Sequence, residues 1–517
     1  MHPTKLLFCC CFLFILFVKG LSAQPLNSTN AEFPVRGFHL DLRIQVMKMP
    51  AVKKLVTKLK EGGMNTLIME YEATFPFERH PMIANRYAYT KEEIKDLVSF
   101  CTKQGIDVIP LQQSFGHVEY VLRNSRYVNI REDNKDFSQV CPSKEADNIA
   151  LFTDLFTEMA SAHPSKYIHI GADETRLLGH CPVCKARVEK EGVSKLYGEH
   201  IKLMCDIVIK LGKIPLMWAD IALKYPDALQ YLPKQVVFVD WNYGWKLDRF
   251  GDHEKLMKSG YEIWGAASLR SSPDNYNLTT WQKHFENIKD FLPAARKLGY
   301  KGMIMTSWST SGVYSPVVES AYDLIDLYAV RRVYPITAFN MLTDAFLESM
   351  HTTKALDIDN YVVNYGVQNY GFDKTTALAF WKALKSTPYE VGNGKVVGPI
   401  SLQQLADSAK ASAATIRSLM PQKNKGEYEH YILMADTRME YLKFQVLEKQ
   451  VNEKDFRPSQ IPPVALKLAA IIENTKAINR RFIELNKEVF YTSELQLDNE
   501  SRLVKVQLLY DRLAKTR

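Results

Sequence analysis

The sequence predicts an α/β fold, a (β/α)8 TIM barrel followed by a C-terminal α-helical bundle. Three observations carry that prediction. Eight short apolar runs alternate with segments of helical spacing over about 310 residues, the size of such a barrel with modest insertions. Glycines stand just before several of these runs (Gly62-Gly63, Gly105, Gly212, Gly260 and Gly299), where a helix C-terminus favours a residue that accepts positive φ. Beyond about Val333 the strand signal fades and helical periodicity takes over. The resulting division is a leader over residues 1–23, a barrel over 34–345 and a helical domain over 346–517.

The strand runs fall at Arg36–Arg43, Met64–Tyr71, Ile106–Gln112, Lys166–Glu174, Lys213–Asp220, Gln235–Trp241, Tyr261–Ser268 and Lys301–Ser309. Several are nearly continuous Val, Ile, Leu and Met, as parallel strands buried on both faces require. Between them, stretches such as Pro50–Glu61 and Lys91–Gly105 carry amphipathic helical spacing. In the last third, Tyr428, Ile432, Ala435, Met439, Leu442 and Val446 form one stripe, and Leu468, Ile471, Thr475, Ile478, Phe482 and Leu485 a second. Pro458, Pro462 and Pro463 separate the two. An antiparallel bundle of three or four helices packed on or beside the barrel is expected, with a homodimer face or a narrowed cleft entrance as its uses.

A barrel gathers its functional groups at the carboxyl ends of its strands. Arg43 ends the first run, Glu70 and Glu72 the second, and Gln112, Gln113 and His117 follow the third. Asp173 and Glu174 end the fourth, Trp218 and Asp220 the fifth, and Asp240, Trp241 and Tyr243 the sixth, while Trp264 lies in the seventh run and Trp308 in the eighth. Four of the 7 tryptophans thus fall at comparable barrel positions, which core packing alone would not favour. Aromatic walls around a few carboxylates suit a sugar ring, with its apolar C–H faces and hydroxyl edges. Within His169-Ile170-Gly171-Ala172-Asp173-Glu174, adjacent strand side chains point to opposite sides, so both carboxylates can serve one substrate only if the chain bends there. The competing reading is an Asp-Glu pair capping the helix that follows. For His117 and His169 it is a satisfied barrel imidazole.

These residues carry a family resemblance. Phe38-His39-Leu40-Asp41-Leu42-Arg43, Glu70-Tyr71-Glu72 with Phe75-Pro76, Ile109-Pro110-Leu111-Gln112-Gln113 with Phe115-Gly116-His117, the His169–Glu174 block, Pro215-Leu216-Met217-Trp218 with Asp220, Trp241-Asn242-Tyr243 and Trp264-Gly265-Ala266-Ala267-Ser268 occur in order. Together they resemble glycoside hydrolase family 20, the β-N-acetylhexosaminidases, and within it the hexosaminidase D-like group. Many family members have Pro-Glu-Ile-Asp where this chain has Pro110-Leu111-Gln112-Gln113, a feature shared with the D-like group. The segment Ser309–Gly312 and Arg43 also depart from the D-like pattern.

The resemblance implies exo-acting hydrolysis of terminal GlcNAc or GalNAc from glycans, with retention, through attack by the substrate's own acetamido oxygen. It assigns Glu174 as the acid and later the base, protonated at rest in an apolar, acidic neighbourhood. Asp173 stays ionised and orients the acetamido N–H, and Tyr243 donates to the acetamido oxygen. Arg43 holds sugar hydroxyls, Trp218, Trp241, Trp264 and Trp308 wall the pocket, His117 and His169 support the carboxylates, and with Asp220 they complete the binding set. No cofactor or metal is called for. Two other readings stand beside this one: a non-catalytic glycan-binding protein on a hydrolase barrel, and a two-carboxylate glycosidase that draws its second group from Asp220, Glu70 or Glu72.

Lys5, the apolar run Leu6–Val18 and the small-residue stretch Gly20-Leu21-Ser22-Ala23 have a signal-peptide layout, too short for a membrane span. An exported protein is expected, in a bacterial periplasm or on a eukaryotic secretory or lysosomal route. Cys9, Cys10 and Cys11 leave with the leader, so an odd set remains: Cys101, Cys141, Cys181, Cys184 and Cys205. His180-Cys181-Pro182-Val183-Cys184 has metal-knuckle spacing, but no second ligand pair follows at regular distance, so a disulfide, with Cys141 as candidate partner, is the expectation. The net charge of +8 is dispersed among acidic residues, which argues against nucleic-acid binding.

Overall fold

The computed structural model describes residues 33–515 apart from 252, 273, 275, 311–314, 319–324, 329–330, 387–390 and 393–394. The leader expected over 1–23 lies outside the described residues, as does part of the Ser309–Gly312 segment. Eight parallel strands close into a barrel in chain order: β1 (Val35–Asp41), β2 (Thr66–Glu70), β3 (Asp107–Leu111), β4 (Tyr167–His169), β5 (Ile214–Trp218), β6 (Val237–Trp241), β7 (Glu262–Arg270) and β8 (Gly302–Ser307). Each lies within or close to its apolar run. β4 is cut short because Gly171, Ala172 and Glu174 all take positive φ and turn the chain out of the sheet.

The barrel interior is filled by inward side chains of alternating strand positions. Ile68, Ile109, Leu216, Trp218, Val239, Trp264 and Ile304 belong to this inner core, sealed from the larger cluster between strands and helices. The outer helices follow the local chemistry. Helix Lys91–Lys103 starts at a capping box in which Thr90 accepts from the Glu93 N–H and Glu93 reaches back to the Thr90 N–H. Helix Trp281–Leu298 ends at Gly299, whose φ of 80° is the left-handed C-cap position. The position 345/346, where the sequence places a domain division, lies inside the helix Asn340–Met350, and a loop follows that helix.

Beyond that loop come helices Ile358–Tyr370, Lys374–Lys385, Leu402–Ser418, Lys425–Val451, Ile461–Asn486 and Thr492–Ala514. The two stripes lie on Lys425–Val451 and Ile461–Asn486, and Pro462 and Pro463 occupy the first turn of the latter, where no intrahelical N–H is needed. The last helix is joined to the barrel by polar contacts that are almost completely buried. Glu494 accepts from the Gln45 N–H at 2.6 Å, and Arg331 pairs with Glu494 at 2.9 Å and Asp498 at 2.8 Å. Among the described residues no helix is long and apolar enough to cross a membrane.

Candidate active site

The carboxyl end of the barrel is where backbone strain accumulates. Glu72, His117, Ala172, Glu174 and Ser271 all have positive φ without being glycine, and all stand on loops leaving the strands there. Each such conformation costs on the order of 1–3 kcal/mol and persists only where surrounding contacts impose it. Two glycines show what imposes it. A Cβ on Gly116 would overlap the Asp173 carbonyl oxygen, and one on Gly171 would overlap the Gln113 side chain. The loops after β3 and β4 are therefore pressed backbone to backbone, and the bend the sequence demanded between Asp173 and Glu174 is made by this contact.

Both carboxylates consequently line one cleft of about 280 Å³, together with Arg43, His117, Trp241, Tyr243 and Trp308. Trp308 Nε1 donates to the Tyr243 hydroxyl at 2.8 Å, and the Trp241 and Tyr243 rings lie 5.1 Å apart. One oxygen of Asp173, Oδ1, is buried without a hydrogen-bond partner among the described residues. Below, Arg43 is held between Glu70 (2.9 Å) and Glu72 (2.8 Å), with its guanidinium 5.3 Å from the Trp308 ring centre. Burial pushes Glu70 up, but Arg43 and His39 hold it well below the usual carboxylate range.

The protonation order differs from the expectation. His117 Nε2 lies 3.2 Å from Glu174 Oε2 and 3.5 Å from Asp173 Oδ2, and Arg176 Nη2 lies 2.9 Å from the same Glu174 oxygen. Burial favours neutral Glu174, yet the His117 hydrogen bond and charge, with Arg176, outweigh it and hold the carboxyl at about 2. Asp173, more deeply buried, is raised by desolvation despite His117. His117 itself is pushed down by burial but carried up to about 10 by Asp173 and Glu174. Two cations thus converge on Glu174: His117, expected to support the carboxylates, and Arg176, which the sequence did not single out.

Four other expected binding residues stand outside the cleft lining. Trp264 sits near the amino end of β7, its ring 5.3 Å from Tyr167 and its Nε1 donating to Glu262 at 2.7 Å; it plugs the barrel floor rather than walling a sugar. Trp218 is fully buried under the site, 4.5 Å from His169 and 5.8 Å from Trp308. His169 Nδ1 accepts from the Gly171 N–H at 3.0 Å, and burial lowers the ring to about 3, so it acts as a neutral brace of the bend. Asp220 accepts from the Glu174 N–H at 3.1 Å and is raised to about 7 by burial and by Asp173. Glu70, Glu72 and Asp220, the groups a two-carboxylate glycosidase would draw on, are not among the residues lining the cleft.

Arg176, Trp245, Arg249, Ser271 and Ser272 line the cleft without having been singled out. For Trp245 a signal existed: Trp241, Tyr243 and Trp245 recur at every second residue, which places them on one side of an extended segment. Their rings cluster, with Trp241 and Trp245 5.4 Å apart and Arg249 4.2 Å over Trp245.

The catalytic-domain model of glycosyl hydrolase family 20 matches residues 33–291, which hold β1 to β7 and both carboxylates. The chain belongs to glycosyl hydrolase family 20. Among its relatives, hexosaminidase D of Bos taurus is 29% identical over 55% of this chain and 87% of that protein. Hexosaminidase D of Homo sapiens is 27% identical over 56% of this chain and 63% of that protein. The chitobiase of Flavobacterium johnsoniae is similar in fold at 16% identity, with a TM-score of 0.50 over 93% of this chain and 72% of that one. Membership in family 20 makes the cleft at the carboxyl end of the barrel the place to look for glycoside hydrolysis.

Proposed function

We propose that the chain is an exo-acting β-N-acetylhexosaminidase that releases terminal GlcNAc or GalNAc with retention, using the substrate's acetamido group as nucleophile. The observation that carries this reading is the bend that turns Asp173 and Glu174 into one cleft beside Tyr243. In the first step the acetamido carbonyl oxygen bonds to the anomeric carbon as the glycosidic C–O bond breaks, and Glu174 gives its proton to the leaving oxygen. Asp173 accepts the acetamido N–H and offsets the positive charge of the oxazolinium. Tyr243 donates to the acetamido oxygen. Water then attacks the anomeric carbon, Glu174 takes up its proton, and the acetamide is restored with the original configuration. Arg43, Trp241 and Trp308 hold the ring.

Glu174 must gain a proton to act, so the Arg176 contact has to open when substrate binds; the Arg176 side chain, 66% exposed, is free to swing. The same ion pair is the one feature that favours the second reading, a glycan-binding protein whose acid is permanently neutralised. Proton NMR of the first-formed sugar separates the two: β-anomer appearing before mutarotation supports the proposal, α-anomer contradicts the mechanism, and binding without turnover supports the lectin reading. The leader layout at residues 1–23 supports an exported enzyme.

A further inference from the structure

On the far side of the loops that carry Asp173 and Glu174, four side chains converge: Glu132, Cys141, Cys181 and Cys184 each bring one ligand atom within 4.8 Å of the others. Glu132, Cys141 and Cys184 are buried and Cys181 is partly so. The thiols are not joined. Cys141 Sγ is 3.6 Å from Cys181 Sγ and 3.5 Å from Cys184 Sγ, whereas a disulfide requires about 2.05 Å. Two thiolates each about 2.3 Å from a tetrahedral zinc stand about 3.8 Å apart, close to what is seen. The carboxylate fits the fourth corner: Glu132 Oε2 lies 3.3 Å from Cys184 Sγ, against about 3.5 Å between sulfur and oxygen on such an ion.

The surroundings favour anionic ligands. Cys181 is the N-cap of helix Pro182–Glu191, and its sulfur accepts the Cys184 N–H at 3.3 Å, so the positive end of the helix faces the thiolate. Glu132 Oε1 is occupied by the Cys181 N–H at 2.8 Å, which leaves Oε2 for the cluster. Ser143 Oγ lies 3.1 Å from Cys184 Sγ, and Arg187 donates to Ser143 at 3.3 Å, supplying positive charge just outside. Among the described residues no lysine or arginine pairs with the buried Glu132 carboxylate. An uncompensated buried carboxylate is costly, and a divalent cation removes that cost.

We propose that Glu132, Cys141, Cys181 and Cys184 form a closed, four-coordinate structural zinc site that ties the loop after β3 to the loop after β4. Three thiolates and one carboxylate select a soft, tetrahedral ion, and no coordination position is left for substrate. The second ligand pair that seemed to be missing is thus contributed by the preceding loop, and the expected disulfide is replaced by a metal staple. The staple lies between Glu174 and helix Val193–Lys210 and fixes the distal end of the acid-bearing loop. It does not depend on which glycan the cleft accepts.

The test is metal analysis by inductively coupled plasma mass spectrometry on the full-length chain, produced with zinc in the medium and dialysed into metal-free buffer. About one zinc per chain is expected in the wild type and in Cys101→Ala, falling at least tenfold in Cys184→Ser and Glu132→Gln. If the variants do not fold, the wild type decides alone. Treatment with a zinc chelator lowers its melting temperature and added zinc restores it, as loss of a ligand bound only to the native state requires. A folded wild type without zinc, or an intact mass two hydrogens light with a Cys141 disulfide found by peptide mapping, overturns the proposal.

Discussion

Arg176 Nη2 and Glu174 Oε2 stand 2.9 Å apart, so the proposed acid is met at rest by a cation two residues along its own loop. With His117 on the same oxygen at 3.2 Å, the carboxyl is held at about 2, far from the value a proton donor near neutral pH needs. On the proposed mechanism this contact is a latch that has to open when a sugar and its leaving group bind.

Removing the latch shifts the pH profile. In Arg176→Ala the Glu174 carboxyl rises toward the ordinary range, so the limb of kcat/KM that reports its ionisation moves to higher pH by roughly one unit. The profile on an aryl β-N-acetylglucosaminide checks this, and an unmoved limb means Arg176 does not govern the acid.

Stability should depend on pH through the same cluster. His117 is raised from 6.5 to about 10, so its contribution is fully present below pH 6.5 and is lost as pH rises through about 10. Glu174 is lowered from 4.5 to about 2, so its contribution is present above pH 4.5 and is lost as pH falls toward 2. Melting temperatures of wild type and His117→Asn should converge between pH 6.5 and 10, and parallel curves would contradict the pairing.

The tryptophans should separate by depth. Trp264→Ala removes a fully buried ring from the barrel floor and is expected to cost about 3–5 kcal/mol of stability. Trp308→Phe loses the N–H that the Tyr243 hydroxyl accepts and is expected to lower kcat tenfold or more with a near-normal melting temperature. Denaturant unfolding and steady-state kinetics on both variants distinguish the roles.

The helical domain should be required by the barrel. Glu494→Ala leaves the Gln45 N–H without its acceptor and removes one of the Arg331 partners, both buried, at a cost of about 3–5 kcal/mol. Gln45 also accepts from Arg270 at 2.6 Å, beside Ser271 at the cleft, so activity should fall together with stability.

What could be read from the sequence depended on distance along the chain. The strands were legible because each is a local apolar run, and Asp173 with Glu174 because they end one of them. Trp264 was misplaced because its run shows periodicity but not depth: β7 begins only at Glu262, which puts the ring near the floor. The contacts of Glu174 were legible in part: His117 was expected beside the carboxylates, whereas Arg176, although near in sequence, turns back onto Glu174 in a way that periodicity does not show. Cys141 was anticipated beside the Cys181 and Cys184 pair, but Glu132 escaped because its loop meets them only after the barrel closes. The bend at Gly171 and Ala172 could be demanded from the sequence, but the Gly116 backbone that enforces it could not be named.

The central claim is tested most directly by release of nitrophenol from the β-GlcNAc and β-GalNAc aryl glycosides by wild type, Glu174→Gln and Asp173→Asn, with folding checked by circular dichroism. The account predicts hydrolysis by the wild type and a loss of at least a hundredfold in both variants. Full activity in Glu174→Gln, or no turnover of either glycoside by folded wild type, would contradict it.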